Sequence, residues 1–127
     1  MPELRDPNRG PSAAELMRRR AAEEAARDEA TNVVARWNRA LSAGRGALWS
    51  PTIRCAVAAG TPWLDVYCPG CRTSRAIDIR TIDRHPLASV GSLVLGFRCS
   101  LCPGSAPMPV LTGLHKSPPA VKWSEAP

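Results

Sequence analysis

Five cysteines occur in 127 residues, and four of them form two matched pairs. Cys68-Pro69-Gly70-Cys71 and Cys99-Ser100-Leu101-Cys102 are CxxC pairs separated by 27 residues. Two residues between cysteines let both thiolates point at one ion while the intervening amides turn toward the sulfurs. Two such turns offer four sulfurs in a tetrahedron, which suits Zn²⁺. Four sulfurs leave no open position, so an ion held by Cys68, Cys71, Cys99 and Cys102 is structural and activates no water. Pro69 presets its φ and Gly70 is permissive, which favours a tight turn. Iron is the alternative ion, because rubredoxin-like sites use similar pairs; the basic charge and scarce aromatics favour zinc.

Other chemistries fit less well. Cys68-Pro69-Gly70-Cys71 alone also matches a redox dithiol, but that chemistry wants the first cysteine at a helix N-terminus, where the dipole lowers its pKa. The following Arg72–Ile79 alternates like a strand, and the rest of a thioredoxin-like pattern is missing. Cys55, the odd cysteine, reads as a small apolar residue. His85 and His115 read as loop and tail residues, since four thiolates are already available. No Ser/His/Asp set, carboxylate pair or phosphate-binding glycine loop occurs, so no enzymatic activity is expected.

The elements that position the cysteines follow from their flanks. Leu64–Tyr67 alternates into the first pair and Ala76–Arg80 alternates out of it. Leu93–Arg98 runs into the second pair and Met108–Leu111 runs out of it. Each CxxC is therefore expected at a turn between two strands, with a short helix in the connection 81–92. Upstream, Ser12-Ala13-Ala14-Glu15 matches a capping box, about thirty residues without Pro or Gly follow, and Gly44 stops the run. A long helix is expected over 12–43. Its first half is Ala and charge, with Arg19–Glu23, Arg20–Glu24 and Glu23–Arg27 at i,i+4 spacing, and is expected to project into solvent. Its second half carries one apolar stripe: Ala30, Val33, Val34, Trp37 and Leu41. In the linking segment 44–63, Ser50-Pro51 can start a short helix in which Ile53, Ala56 and Val57 face one way, ended by Gly60-Thr61-Pro62; a strand over 53–57 is the lesser reading. Residues 1–11 read as a disordered lead and 115–127 as a flexible tail.

Over residues 64–112 this arrangement resembles a zinc ribbon, in which two metal-holding knuckles cap a small antiparallel sheet. The likeness rests on the four cysteines and their strand flanks, and it extends to small bacterial proteins with a strand–CPxC–strand pattern. It implies an α+β protein: a long N-terminal helix followed by a zinc-ribbon sheet over 64–114, with Cys68, Cys71, Cys99 and Cys102 as ligands. Ribbon knuckles often carry Gly after the second cysteine; here Arg72 and Pro103-Gly104 follow instead. Ribbons serve nucleic-acid machines, protein contacts and enzyme lobes alike, so the likeness names no activity.

Composition bounds the reading. The chain is 44 % hydrophobic, but 19 of those residues are Ala and 5 are Cys. Leu, Ile, Val and Phe number 24, or 19 % of the chain, near the level at which chains lack a core. Residues 64–114 hold 15 of the 24, so the core is expected there, stapled by metal. No apolar stretch reaches membrane-spanning length. The N-terminus shows no secretory apolar region, so a cytoplasmic location is expected, where paired cysteines read as metal ligands.

Two roles follow. The net charge is +6, and 15 of the 17 basic residues are Arg. Arg72, Arg75, Arg80, Arg84 and Arg98 outnumber the acids of the ribbon and can gather on one face to contact the phosphates of DNA or RNA. Base stacking has only Tyr67 and Phe97 to draw on. Alternatively, Val33, Val34, Trp37 and Leu41 form a stripe for a protein partner. If the stripe packs on the protein's own sheet, that adaptor reading weakens.

Overall fold

The computed structural model describes residues 10–44, 49–102 and 107–118. Most of the expected lead (1–9), most of the tail (119–127) and Pro103-Gly104 lie outside the described residues. Helix α1 spans Ala13–Ser42, and the Ser12 side chain accepts from the Glu15 amide at its start. Helix α2 spans Ile53–Ala58. Strands β1 (Trp63–Cys68), β2 (Thr73–Asp78) and β3 (Val110–His115) form one antiparallel sheet in the order β2-β1-β3. The fold is therefore α+β, as expected.

Each helix begins on a side chain that satisfies an otherwise orphaned amide. For α2 that residue is Thr52, which accepts from the Cys55 amide at 3.0 Å, and not Ser50. Ser50 accepts instead from the Gly91 amide at 2.7 Å, tying the start of α2 to the later connection. The buried face of α2 is Ile53, Ala56 and Ala59, at i,i+3 spacing, whereas Val57 is exposed.

β1 is the central strand, and its residues alternate as the period of a strand requires. Leu64, Val66 and Cys68 are buried on one face; Trp63, Asp65 and Tyr67 are half-buried on the other. Leu64 pairs with Ile77 on one side and Leu114 on the other. A bulge in β3 leaves Thr112 opposite no partner, between the Asp65–Gly113 and Val66–Leu111 pairs, and its hydroxyl donates to the Asp65 carbonyl at 3.2 Å.

The core is shared between helices and sheet. Ala30, Val34 and Trp37 of α1 join Ile53, Ala56, Leu64, Val66, Ile79, Val90, Leu93 and Leu114 in one buried cluster, with Leu41 packed at its margin. Residues 13–29 carry no buried side chain, and Leu16 and Met17 are exposed, so the first half of α1 stands clear of the core. Val34, Trp37 and Leu41 of the stripe expected to meet a partner are thus spent internally. Trp37 is 2 % exposed and Val34 3 %; Leu41 and Val33 are half-buried. The physical reason is area: so small a sheet cannot cover both its own inner face and a core, and the amphipathic half-helix closes it.

The strand expected over Leu93–Arg98 is a 3₁₀ segment, Val90–Gly96, capped by Ser89, whose side chain accepts from the Ser92 amide. Val90 and Leu93 point inward at 3₁₀ spacing, while Leu95 is exposed. A short 3₁₀ turn, Ile79–Thr81, likewise replaces the end of the strand expected over 76–80.

Candidate metal centre

The first CxxC is the hairpin turn between β1 and β2. Strand alternation places Cys68 at the end of the core-facing row, where it is 5 % exposed. The Arg72 amide then donates to the Cys68 carbonyl at 2.8 Å and closes the knuckle. Arg72 takes a left-handed conformation with φ of 59°, the position ribbon knuckles commonly give to Gly because a side chain is disfavoured there. Gly70 is required for a different reason. A Cβ at residue 70 would lie 3.0 Å from Pro107 Cδ and 3.2 Å from Cys102 Sγ. A side chain there would push the second knuckle back by a few tenths of an ångström.

The second CxxC follows the 3₁₀ segment, and the four sulfurs meet. Every sulfur of Cys68, Cys71, Cys99 and Cys102 lies within 4.8 Å of the others. The closest contacts join one knuckle to the other: Cys68 to Cys102 at 3.6 Å and Cys71 to Cys99 at 3.5 Å. A zinc–sulfur bond of about 2.3 Å sets tetrahedral sulfurs about 3.8 Å apart. The cluster therefore fits a four-thiolate ion by both donor set and spacing, and no cysteine is in a disulfide.

The electrostatics favour a cation. The Thr73 hydroxyl, 3.2 Å from Cys71 Sγ, stabilises that thiolate and pulls its pKa down to about 6 against the opposing cost of burial. Cys102 moves the other way, to about 12, held protonated by its bond to Cys68 and by burial. Four crowded thiols cannot all ionise on their own, and a divalent cation removes that conflict. Thr73 was not singled out in the sequence. Its hydroxyl two residues after Cys71, at the start of a strand, was the available signal.

The remaining candidates are dispersed. Cys55 is half-buried on α2, its thiol 3.9 Å from the Ala30 carbonyl; burial foremost, and then Glu29, raise its pKa. His85 accepts from the Leu87 amide in an exposed turn. His115 ends β3 with Nε2 3.7 Å from Asp65 Oδ2. Neither histidine joins the sulfur cluster.

The five arginines differ in their bonding partners. Arg80 is committed to Asp78 by two hydrogen bonds, Nε to Oδ1 at 2.9 Å and Nη2 to Oδ2 at 2.8 Å. That pairing holds the Asp78 carboxyl below its usual range. Arg84 donates to Ser92 Oγ at 3.3 Å. Arg72 adjoins Cys71, and Arg75 and Arg98 line one cleft together with Cys68 and Cys99. All three are exposed and, among the described residues, none is in an ion pair.

Fold and site together define a small α+β protein with four cysteine sulfurs gathered at metal-ligand spacing. No known protein family matches the chain, and neither a curated protein nor a solved structure matches it. The zinc-ribbon likeness therefore rests on the cysteines and the β1–β2 knuckle, with a 3₁₀ segment standing where a ribbon would carry a strand. No helix among the described residues is long and apolar enough to cross a membrane.

Proposed function

We propose that the four cysteines hold Zn²⁺ as a structural staple and that the metal end of the sheet binds the phosphate backbone of nucleic acid. The observation that carries this reading is the trio Arg72, Arg75 and Arg98 beside the cysteines, exposed and, among the described residues, in no ion pair. A zinc ion held by four thiolates keeps an excess of two negative charges. Three arginines more than offset it, leaving the knuckle end attractive to phosphate. Arg80 and Arg84 contribute less, because each already has an internal partner.

The adaptor role through Val33, Val34, Trp37 and Leu41 is set aside, because Val34, Trp37 and Leu41 serve the protein's own core. The test is binding of the zinc-loaded protein to labelled DNA and RNA across a salt series. Affinity should fall steeply with salt, and replacing Arg72, Arg75 and Arg98 together should flatten the slope by about three. Absence of binding at about 50 mM salt would overturn the reading.

A further inference from the structure

Beside the metal centre lies a cleft of about 280 Å³ between the inner face of the sheet and residues 96–100. Val66, Ile77 and Phe97 supply its apolar lining. Arg75 and Arg98 also line it, and both are exposed. Among the described residues no carboxylate lines it. Phe97 is the aromatic wall and is only half-buried. A cleft with one aromatic side and two arginines in its lining suits a flat, weakly polar ring attached to an anionic chain. We infer that this cleft takes a single unstacked base of single-stranded nucleic acid, set against Phe97, while Arg75 and Arg98 hold the flanking phosphates.

This rests on the phosphate-binding reading above and narrows it. A paired base inside a duplex presents only its edge in a groove, so its face is not free to lie against Phe97. A splayed base of a single strand can, and stacking on aromatic side chains is the common means by which proteins hold such bases. The preference is tolerant of sequence, because every base has a π-face. The volume is near the lower limit of small-ligand clefts, which gives room for one base.

The experiment compares four probes of equal length on the full-length, zinc-loaded protein: single-stranded DNA, single-stranded RNA, blunt duplex DNA, and a DNA strand with its bases removed. Fluorescence anisotropy reads the affinity of each. At least one intact single strand is expected to bind roughly ten-fold or more tighter than the duplex and the abasic strand. Phe97→Leu keeps apolar volume but removes the ring, and should lower single-strand affinity without changing the salt slope. Because the abasic probe leaves the protein untouched, the outcome does not depend on that variant folding. If duplex and abasic strand bind as tightly as the intact strands, the base cleft is wrong while phosphate binding stands. If no probe binds, both fail.

Discussion

Asn38 of α1 and Leu114 of β3 hold each other by two hydrogen bonds across 76 residues of chain. Asn38 Nδ2 donates to the Leu114 carbonyl at 3.0 Å, and the Leu114 amide donates to Asn38 Oδ1 at 2.9 Å. One carboxamide thus copies a rung of a β-ladder on the outer edge of β3. It satisfies backbone groups that would otherwise template a further strand. Gly113 makes the approach feasible. Its φ is 153°, and a Cβ there would lie 3.1 Å from Asn38 Oδ1.

Asn38→Ala leaves two partly buried backbone groups of Leu114 without protein partners. The expected cost is about 2–3 kcal/mol in urea unfolding. Gly113→Ala should also destabilise, and the double variant should cost less than the sum, because both changes break one contact. Strict additivity would show that the two residues act independently.

Trp37→Ala removes a side chain only 2 % exposed. It should cost about 3–5 kcal/mol, as large-to-small core changes do. Zinc stoichiometry under native conditions should stay the same, since the cysteines lie on other elements. A change below about 1 kcal/mol would mean that α1 is not docked on the sheet as described.

Arg72→Gly separates fold from binding. Arg72 adopts the left-handed conformation at φ 59°. Relief of that strain, less the extra freedom glycine gains when unfolded, should stabilise the zinc-loaded protein by about 0.5–1 kcal/mol. The same change removes one of the three arginines proposed to meet phosphate and should weaken nucleic-acid binding. Thermal unfolding and a salt-series titration check the two halves separately.

Much of this architecture is readable from the sequence, and the parts that are not have physical causes. The CxxC spacing announces the sulfur cluster because ligand geometry is local on each side. The Ser12 cap and the Gly44 stop bound α1 because caps are local too. The stripe Val34–Trp37 is plain, but its destination is not. Its packing partners, Ile53, Ala56 and Leu114, come from distant segments whose own patterns are short. Leu93–Arg98 reads as a strand-like run, yet the Ser89 cap and the i,i+3 pair Val90 and Leu93 select 3₁₀ geometry. The arginines share a charge but not a bonding state, because Asp78 and Ser92 claim two of them.

Metal uptake should release protons, and their number reports the starting state of the site. Cys71, at about 6, is already ionised at pH 7.5, whereas Cys102, at about 12, is protonated and must surrender its proton to bind. Calorimetry in buffers of different ionisation enthalpy should therefore find fewer than four protons released per ion. Affinity should rise with pH above neutrality, as protons cease to compete for the sulfurs. Thr73→Val removes the hydroxyl that stabilises the Cys71 thiolate and should raise the proton count. A full four protons from the unsubstituted protein would contradict the assignment.

The central claim is that Cys68, Cys71, Cys99 and Cys102 hold one ion between two knuckles. Elemental analysis of the purified chain, paired with cobalt substitution, addresses it most directly. One zinc per chain is expected, with a cobalt spectrum showing tetrahedral four-thiolate coordination. Serine at any one of the four positions should weaken binding or abolish that spectrum, and serine at Cys55 should leave it unchanged. A chain that binds no zinc or cobalt, or that keeps the four-thiolate spectrum after loss of Cys99 or Cys102, would contradict the account.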